Sequence, residues 1–215
     1  MWEESYKKGR ALNQYPFDSV VSVVFRYISE RQNKKALEIG CGSGNNLSFM
    51  AREGLNVTGL DISETAVKVA RANLKNQNFP GKIYIGSVHN MPFSDESFDF
   101  ILDRACLTHC PQILQQCLNE VHRVLKKGGI FYSEFFGWDS TDRLFAKSRA
   151  GEGFGNFTKG NFMQTETYFL KKELIKNLFF QYEILEVNEV LEHRLNNILQ
   201  SISMFSSIRI VLKKL

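Results

Sequence analysis

Short apolar runs alternate with amphipathic stretches along much of this chain, and the alternation predicts its architecture. Runs near 36–39, 56–60, 82–86, 98–102 and 129–136 read as strands, whereas 45–52, 64–76 and 112–125 carry the apolar spacing of helices. Ala66, Val67, Ala70 and Leu74 form one stripe of the second helix, and Ser63 stands where an N-cap belongs. Gly128-Gly129 is placed to end the 112–125 helix. Strand–helix repetition of this kind argues a parallel sheet covered on both faces. Ahead of it, Pro16 can open a helix whose Val20, Val21, Val24, Phe25 and Ile28 share a face. Residues 1–35 are therefore expected to form an N-terminal helical lid over a core at 36–136.

The pattern breaks at residues 137–166, where Gly151, Gly153, Gly155 and Gly160 are interspersed with Phe154, Phe157 and Phe162 without a period. Ordered connections of this length are uncommon and often functional, so 137–170 is expected to be a substrate-side loop. A helix near 171–180 and strands at 182–187 and 208–212 follow, completing a single domain.

The chemistry concentrates at Ala36-Leu37-Glu38-Ile39-Gly40-Cys41-Gly42-Ser43-Gly44, a strand running into a glycine turn with a helix directly after it. That order points backbone N–H groups and a positive helix terminus at a ligand. The next strand ends in Asp61, a carboxylate placed to accept two hydrogen bonds from ribose hydroxyls, as in nucleoside-binding α/β folds. The fourth strand ends in Asp103 and Arg104, with His109 soon after, and ligands sit beyond such strand ends.

At these residues the chain resembles the class I S-adenosylmethionine-dependent methyltransferases acting on small molecules. Glu38, Gly40, Gly42 and Gly44 match the family's first motif without a gap. The likeness continues through Gly59-Leu60-Asp61-Ile62-Ser63, Pro92-Phe93 with Ser97-Phe98-Asp99, and Val124-Leu125-Lys126-Lys127-Gly128-Gly129. It implies an α/β, Rossmann-like, doubly wound sheet of about seven strands, mostly parallel with an antiparallel last strand, in the order 3-2-1-4-5-7-6. It also implies S-adenosyl-L-methionine as methyl donor, with S-adenosyl-L-homocysteine as product.

By the same resemblance, Gly40, Gly42 and Gly44 meet the aminoacyl part of the donor, and Glu38 orients its amine. Asp61 takes the ribose and Ile62 lies against the adenine. Many members have an aspartate where Ser87 stands; here Ser87 and the Val88 backbone are the expected adenine contacts. Tyr6 or Tyr15 is expected near the donor's carboxylate or sulfonium. Asp103 is expected at the site edge, beside His109 as general base or substrate-orienting group, and Phe135, Phe136 and Trp138 on the acceptor side.

Composition narrows the alternatives. Net charge is +4 with both signs spread along the chain, so neither a nucleic-acid arm nor a polybasic anchor is indicated. Asn45 replaces the glycine or alanine that a nicotinamide fingerprint requires. No N/D-P-P-Y/F tetrapeptide follows the fourth strand, which disfavours base methylation. A small-molecule acceptor is the expected partner; an RNA or protein acceptor, or a non-catalytic protein on the same fold, is the alternative. The four cysteines, at 41, 106, 110 and 117, have no metal-ligand spacing, so no metal is expected and the thiols are expected reduced. With no signal-peptide pattern at Met1-Trp2-Glu3-Glu4-Ser5, the chain is expected to be cytoplasmic and not membrane-bound.

Overall fold

The structure, a computed structural model, describes residues 2–10, 12–150, 153–157, 165–195 and 202–215. Gly151, Gly160 and Phe162 of the expected loop lie outside the described residues. Two helices, α1 (Trp2–Lys7) and α2 (Asp18–Tyr27), precede the sheet. Then come β1 (Lys35–Ile39), α3 (Asn45–Arg52), β2 (Asn56–Asp61), α4 (Glu64–Asn76) and β3 (Gly81–Ile85). They are followed by β4 (Phe98–Arg104), α5 (Leu114–Val124) and β5 (Leu125–Gly137). The parallel strands lie in the order β3-β2-β1-β4-β5. The last two strands, β9 (Tyr182–Leu195) and β10 (Ile202–Lys214), form an antiparallel pair, and β10 lies against β5 with Ser207 to Lys213 opposite Phe136 to Ile130. Counting that pair as sixth and seventh gives the expected 3-2-1-4-5-7-6 arrangement.

Period-two alternation sends successive residues to opposite faces of this sheet. Leu37, Ile39, Ile101, Phe131, Phe135 and Ile208 pack on α5 on one side. Ala36, Val57, Phe100, Leu102, Tyr132 and Val211 pack under α2, α3 and α4 on the other. The amphipathic helices thus have one apolar stripe each because each covers only one face. Ser63 does cap α4, its hydroxyl accepting the Ala66 N–H at 3.1 Å.

Three features depart from the sequence reading. The stretch expected to be a loop holds three short strands, β6 (Ala146–Ala150), β7 (Gly153–Phe157) and β8 (Thr167–Leu170). They pair antiparallel with one another, and β8 runs parallel to Phe136 and Gly137 of β5. Glycine weakens a strand pattern in sequence; here Phe154, Phe157 and Phe169 supply the order, packing with Phe136, Trp138 and Phe205. The expected 171–180 helix shrinks to a 3₁₀ turn at Lys172–Leu174 and one α-turn, α6 (Ile175–Leu178), neither with a side-chain cap. Gly128 (φ +71°) does not cap α5, which stops at Val124 when Leu125 turns extended. It sits instead in the irregular start of β5, where the register against β4 shifts between Phe98 and Phe100. Among the described residues no helix is long and apolar enough to cross a membrane.

Phe131 is fully buried where β5 meets the rings of Phe179 and Tyr182. Truncating it to alanine is expected to cost about 3–5 kcal/mol of unfolding free energy, read as a lowered urea midpoint with an unchanged m-value.

Candidate active site

β1 leaves the sheet through Gly40 (φ +63°) and Gly42 (φ +52°), a left-handed path that side chains rarely follow. Space imposes the same choice. A Cβ on Gly40 would lie 2.6 Å from the Cys106 side chain, and one on Gly42 2.6 Å from the Tyr6 hydroxyl. The loop ends at the first turn of α3, where the Asn46 amide donates to Glu38 Oε1 at 2.7 Å.

β2 delivers Asp61 to the same place. Its Oδ2 accepts the Gly42 N–H at 2.8 Å and its Oδ1 the Ser63 N–H at 2.9 Å. Each oxygen keeps a further lone pair, and the residue borders a cavity of about 420 Å³. Burial raises the Asp61 pKa, and the backbone N–H groups of Ser63, Gly42 and Ile62 oppose that rise. Gly40, Ile62, Ser87 and Val88 border the cavity too. Ile62 is 64% exposed, an apolar shelf beside Asp61. The Ser87 hydroxyl is hydrogen-bonded to His89 Nδ1 at 2.7 Å.

The opposite wall comes from α1 and from the turn after β4. Trp2 and Tyr6 line it from α1, and Ala105, Cys106, His109, Cys110 and Ile113 from the turn. Ala105 has φ +60°, a strained value for a residue with a Cβ, of the kind that clusters at functional sites. The His109 ring packs edge-on to Trp2 at 5.0 Å and to Phe136 at 5.6 Å. Its Nδ1 lies 3.4 Å from the Glu166 carbonyl oxygen. A carbonyl only accepts, so Nδ1 carries the proton and the neutral ring's lone pair is on Nε2. Burial pulls the His109 pKa down to about 4, which leaves the ring neutral near pH 7.

Other expected site residues stand elsewhere. Glu38 is buried behind the glycine loop. Burial, with Asp61 and Asp103 nearby, raises its pKa to about 8, against the Asn46 hydrogen bond. Its Oε2 has no hydrogen-bond partner. Asp103 is also fully buried and does not border the cavity. Its Oδ1 accepts the N–H groups of Cys106 (2.8 Å) and Leu107 (3.2 Å), and its Oδ2 the Ser133 hydroxyl at 2.6 Å. It therefore holds the turn that carries His109 instead of facing a ligand. Burial raises its pKa to about 7. Tyr15 is 81% exposed and outside the cavity lining. Gly44 and Gly42 shape the loop without bordering the cavity. Phe135 is buried in the core, and Trp138 packs on Phe154.

Sequence reasoning missed Trp2 and Cys106. Both reach the site through tertiary packing, and no local motif announces either. Among the described residues, no group of three or more His, Cys, Asp or Glu side chains is arranged to hold a metal ion.

The comparisons with known proteins bear on the family and the fold. Residues 37–133 match the family model described as a methyltransferase domain. A phthiotriol/phenolphthiotriol dimycocerosates methyltransferase of Mycobacterium tuberculosis is 37% identical over 101 residues, 46% of this chain and 36% of that protein. The match thus spans about a third of the length of that curated relative. The crystal structure of a SAM-dependent methyltransferase from Methanosarcina mazei superposes with a TM-score of 0.73 at 22% identity, covering 94% of this chain and 99% of that one. The 1,6-didemethyltoxoflavin-N1-methyltransferase of Burkholderia thailandensis, solved with 1,6-didemethyltoxoflavin and S-adenosylhomocysteine, gives 0.70 at 16% identity over 99% and 85%. At these identities the two structures establish the fold.

The depressed pKa of His109 makes a thermodynamic prediction. The unfolded chain binds a proton at about 6.5 and the folded one only near 4, so His109 lowers stability progressively as pH falls through that window. The loss is complete below about 4. The raised Asp103 and Glu38 pKa values act in the opposite sense, so the His109 contribution is read as a difference. Unfolding free energy of wild type minus His109→Leu is expected to fall between pH 6.5 and 4 and to be flat above 7.

Proposed function

We propose that this chain, in which residues 37–133 form a methyltransferase domain on the Rossmann-like methyltransferase fold, moves the methyl group of S-adenosylmethionine to an O, N, S or C atom of a small molecule. One observation carries the reading. A single cavity is bordered by the loop after β1, by Asp61 and Ile62, by Ser87 and Val88, and across from them by His109 among aromatic side chains.

The residues present fit the donor. Asp61 has lone pairs left for the two ribose hydroxyls, Ile62 offers a flat apolar contact for adenine, and Ser87 with the Val88 backbone can meet its edge. Glu38, buried behind the loop and outside the cavity lining, would orient the donor's amine through the loop backbone or water. When bound, S-adenosylmethionine supplies a methyl on a positive sulfonium whose carbon–sulfur bond breaks to leave a neutral thioether, so the leaving group needs no acid.

The protein's own work is positioning and proton removal. Holding two reactants in line can supply about 7–11 kcal/mol of a barrier. His109 Nε2, unprotonated near neutral pH, accepts a proton from an acceptor that must lose one. Asp103 keeps the turn, and thus the ring, in place. Trp2, Tyr6 and Phe136 exclude water around it.

The acceptor wall suits a molecule with an apolar or aromatic body. Trp2, Pro111 and Ile113 border it, and its one Arg or Lys among the described residues, Arg104, has its Nε 3.1 Å from Glu134 Oε2. The small acceptor held by the Burkholderia relative supports the same class.

Calorimetry with S-adenosylhomocysteine should give micromolar binding that is lost in Asp61→Ala. His109→Ala should keep that affinity while turnover falls by roughly 10²–10⁴-fold on a proton-bearing acceptor. A folded protein giving no heat with either S-adenosylmethionine or S-adenosylhomocysteine would overturn the assignment.

A further inference from the structure

Helix α1 has six residues, and two of them, Trp2 and Tyr6, form part of the cavity wall. An isolated helix of this length does not hold itself together in water, since nucleation alone costs more than one turn returns. Something outside the helix must seat it. On its free side stands Glu3, whose carboxylate meets the first turn of α4. Oε2 accepts the Ser63 hydroxyl at 2.6 Å and the Thr65 N–H at 3.1 Å, and Oε1 accepts the Thr65 hydroxyl at 2.7 Å. Lys7, one turn along, lies 3.7 Å from the same carboxylate. α4 has thirteen residues, so its N-terminal turn presents unpaired N–H groups and the positive end of a long dipole.

The contact does not duplicate an existing cap. Ser63 accepts the Ala66 N–H through its hydroxyl oxygen while donating that hydroxyl's proton to Glu3. Its own N–H goes to Asp61 Oδ1 at 2.9 Å. The carboxylate on α1 is thus two hydrogen bonds from the carboxylate that borders the cavity. Beyond Glu3, the same helix places the Tyr6 hydroxyl over Gly42 and the Trp2 ring against His109. Seating α1 therefore sets both ends of the cavity, the glycine loop and the candidate base.

We propose that Glu3 is a positioning residue for methyl transfer: its clasp on Ser63 and Thr65 docks α1 over the cavity, retaining the bound donor and fixing Trp2 against His109. The proposal rests on the methyltransferase reading for the identity of the ligand, but the docking of α1 does not depend on it. Because the binding-competent state is the docked one, loss of the clasp weakens affinity by the fraction of docked protein lost. The hydrogen-bonded, half-buried carboxylate joins α1 to α4 at the rim of the sheet, so the effect is expected on binding and on Trp2 more than on unfolding of the sheet.

The test uses the full chain with Glu3→Ala, Thr65→Val and the double variant. A Trp138→Phe background makes Trp2 the only indole, the chain having two tryptophans. Acrylamide quenching of Trp2 without ligand reads docking, and calorimetry with S-adenosylhomocysteine reads retention. Both single variants are expected to expose Trp2 and to raise the dissociation constant about tenfold, a typical coupling between sites. The double variant should be no worse than Glu3→Ala, since the two residues share one interaction. Glu3→Gln, which keeps one acceptor oxygen, should fall between. Equal quenching in wild type and Glu3→Ala would overturn the clasp. Increased quenching with unchanged affinity would overturn its positioning role. Should wild type fail to bind S-adenosylhomocysteine, the methyltransferase reading falls, while the ligand-free quenching still decides whether Glu3 docks the helix.

Discussion

The site depends first on Asp61, whose two oxygens tie the loop after β1 to the start of α4 through the Gly42 and Ser63 N–H groups. These bonds use directions set by the backbone, so the carboxylate is held without a side-chain partner of its own. Burial works against its charge, and the N–H groups of Ser63, Gly42 and Ile62 compensate. A neutral residue of the same shape would leave those donors without a charged acceptor. The strand ends, the glycine turn and the helix start are thereby fixed relative to one another before any ligand arrives.

Behind this carboxylate stand two more, Glu38 and Asp103, at the ends of adjacent parallel strands. Burial raises the pKa of both, and Asp61 and Asp103 add to the rise at Glu38. Asp103 is met by two N–H donors from the turn it supports and by the Ser133 hydroxyl of β5. At Glu38 only one of the two oxygens has a partner. Perturbed carboxylates cluster at functional sites and also occur in structural networks.

Local chemistry was legible in the sequence, and tertiary placement was not. The glycine turn and Asp61 could be read because their roles follow from backbone geometry within a few residues. Asp103 was read as a site residue because it ends a strand, as site residues do. Its side chain instead points at the turn after it, which spacing alone does not reveal. Tyr6 and Tyr15 were indistinguishable as aromatic residues ahead of the first strand, until α1 carried one to the cavity and left the other in solvent. The segment 137–170 hid three strands because glycines interrupted its alternation, whereas its phenylalanines order it only by packing together across distant segments.

These observations separate the site into a rigid half and a movable half. The rigid half is the sheet edge, where Gly40, Asp61 and Asp103 are fixed by backbone hydrogen bonds within a fully packed core. The movable half is α1, too short to be stable alone and attached through side-chain contacts at Glu3, Tyr6 and Trp2. Elements with few packed contacts open at lower cost than core strands, and the six residues of α1 meet the core through a small number of side chains. The cavity is bordered by one wall of each kind.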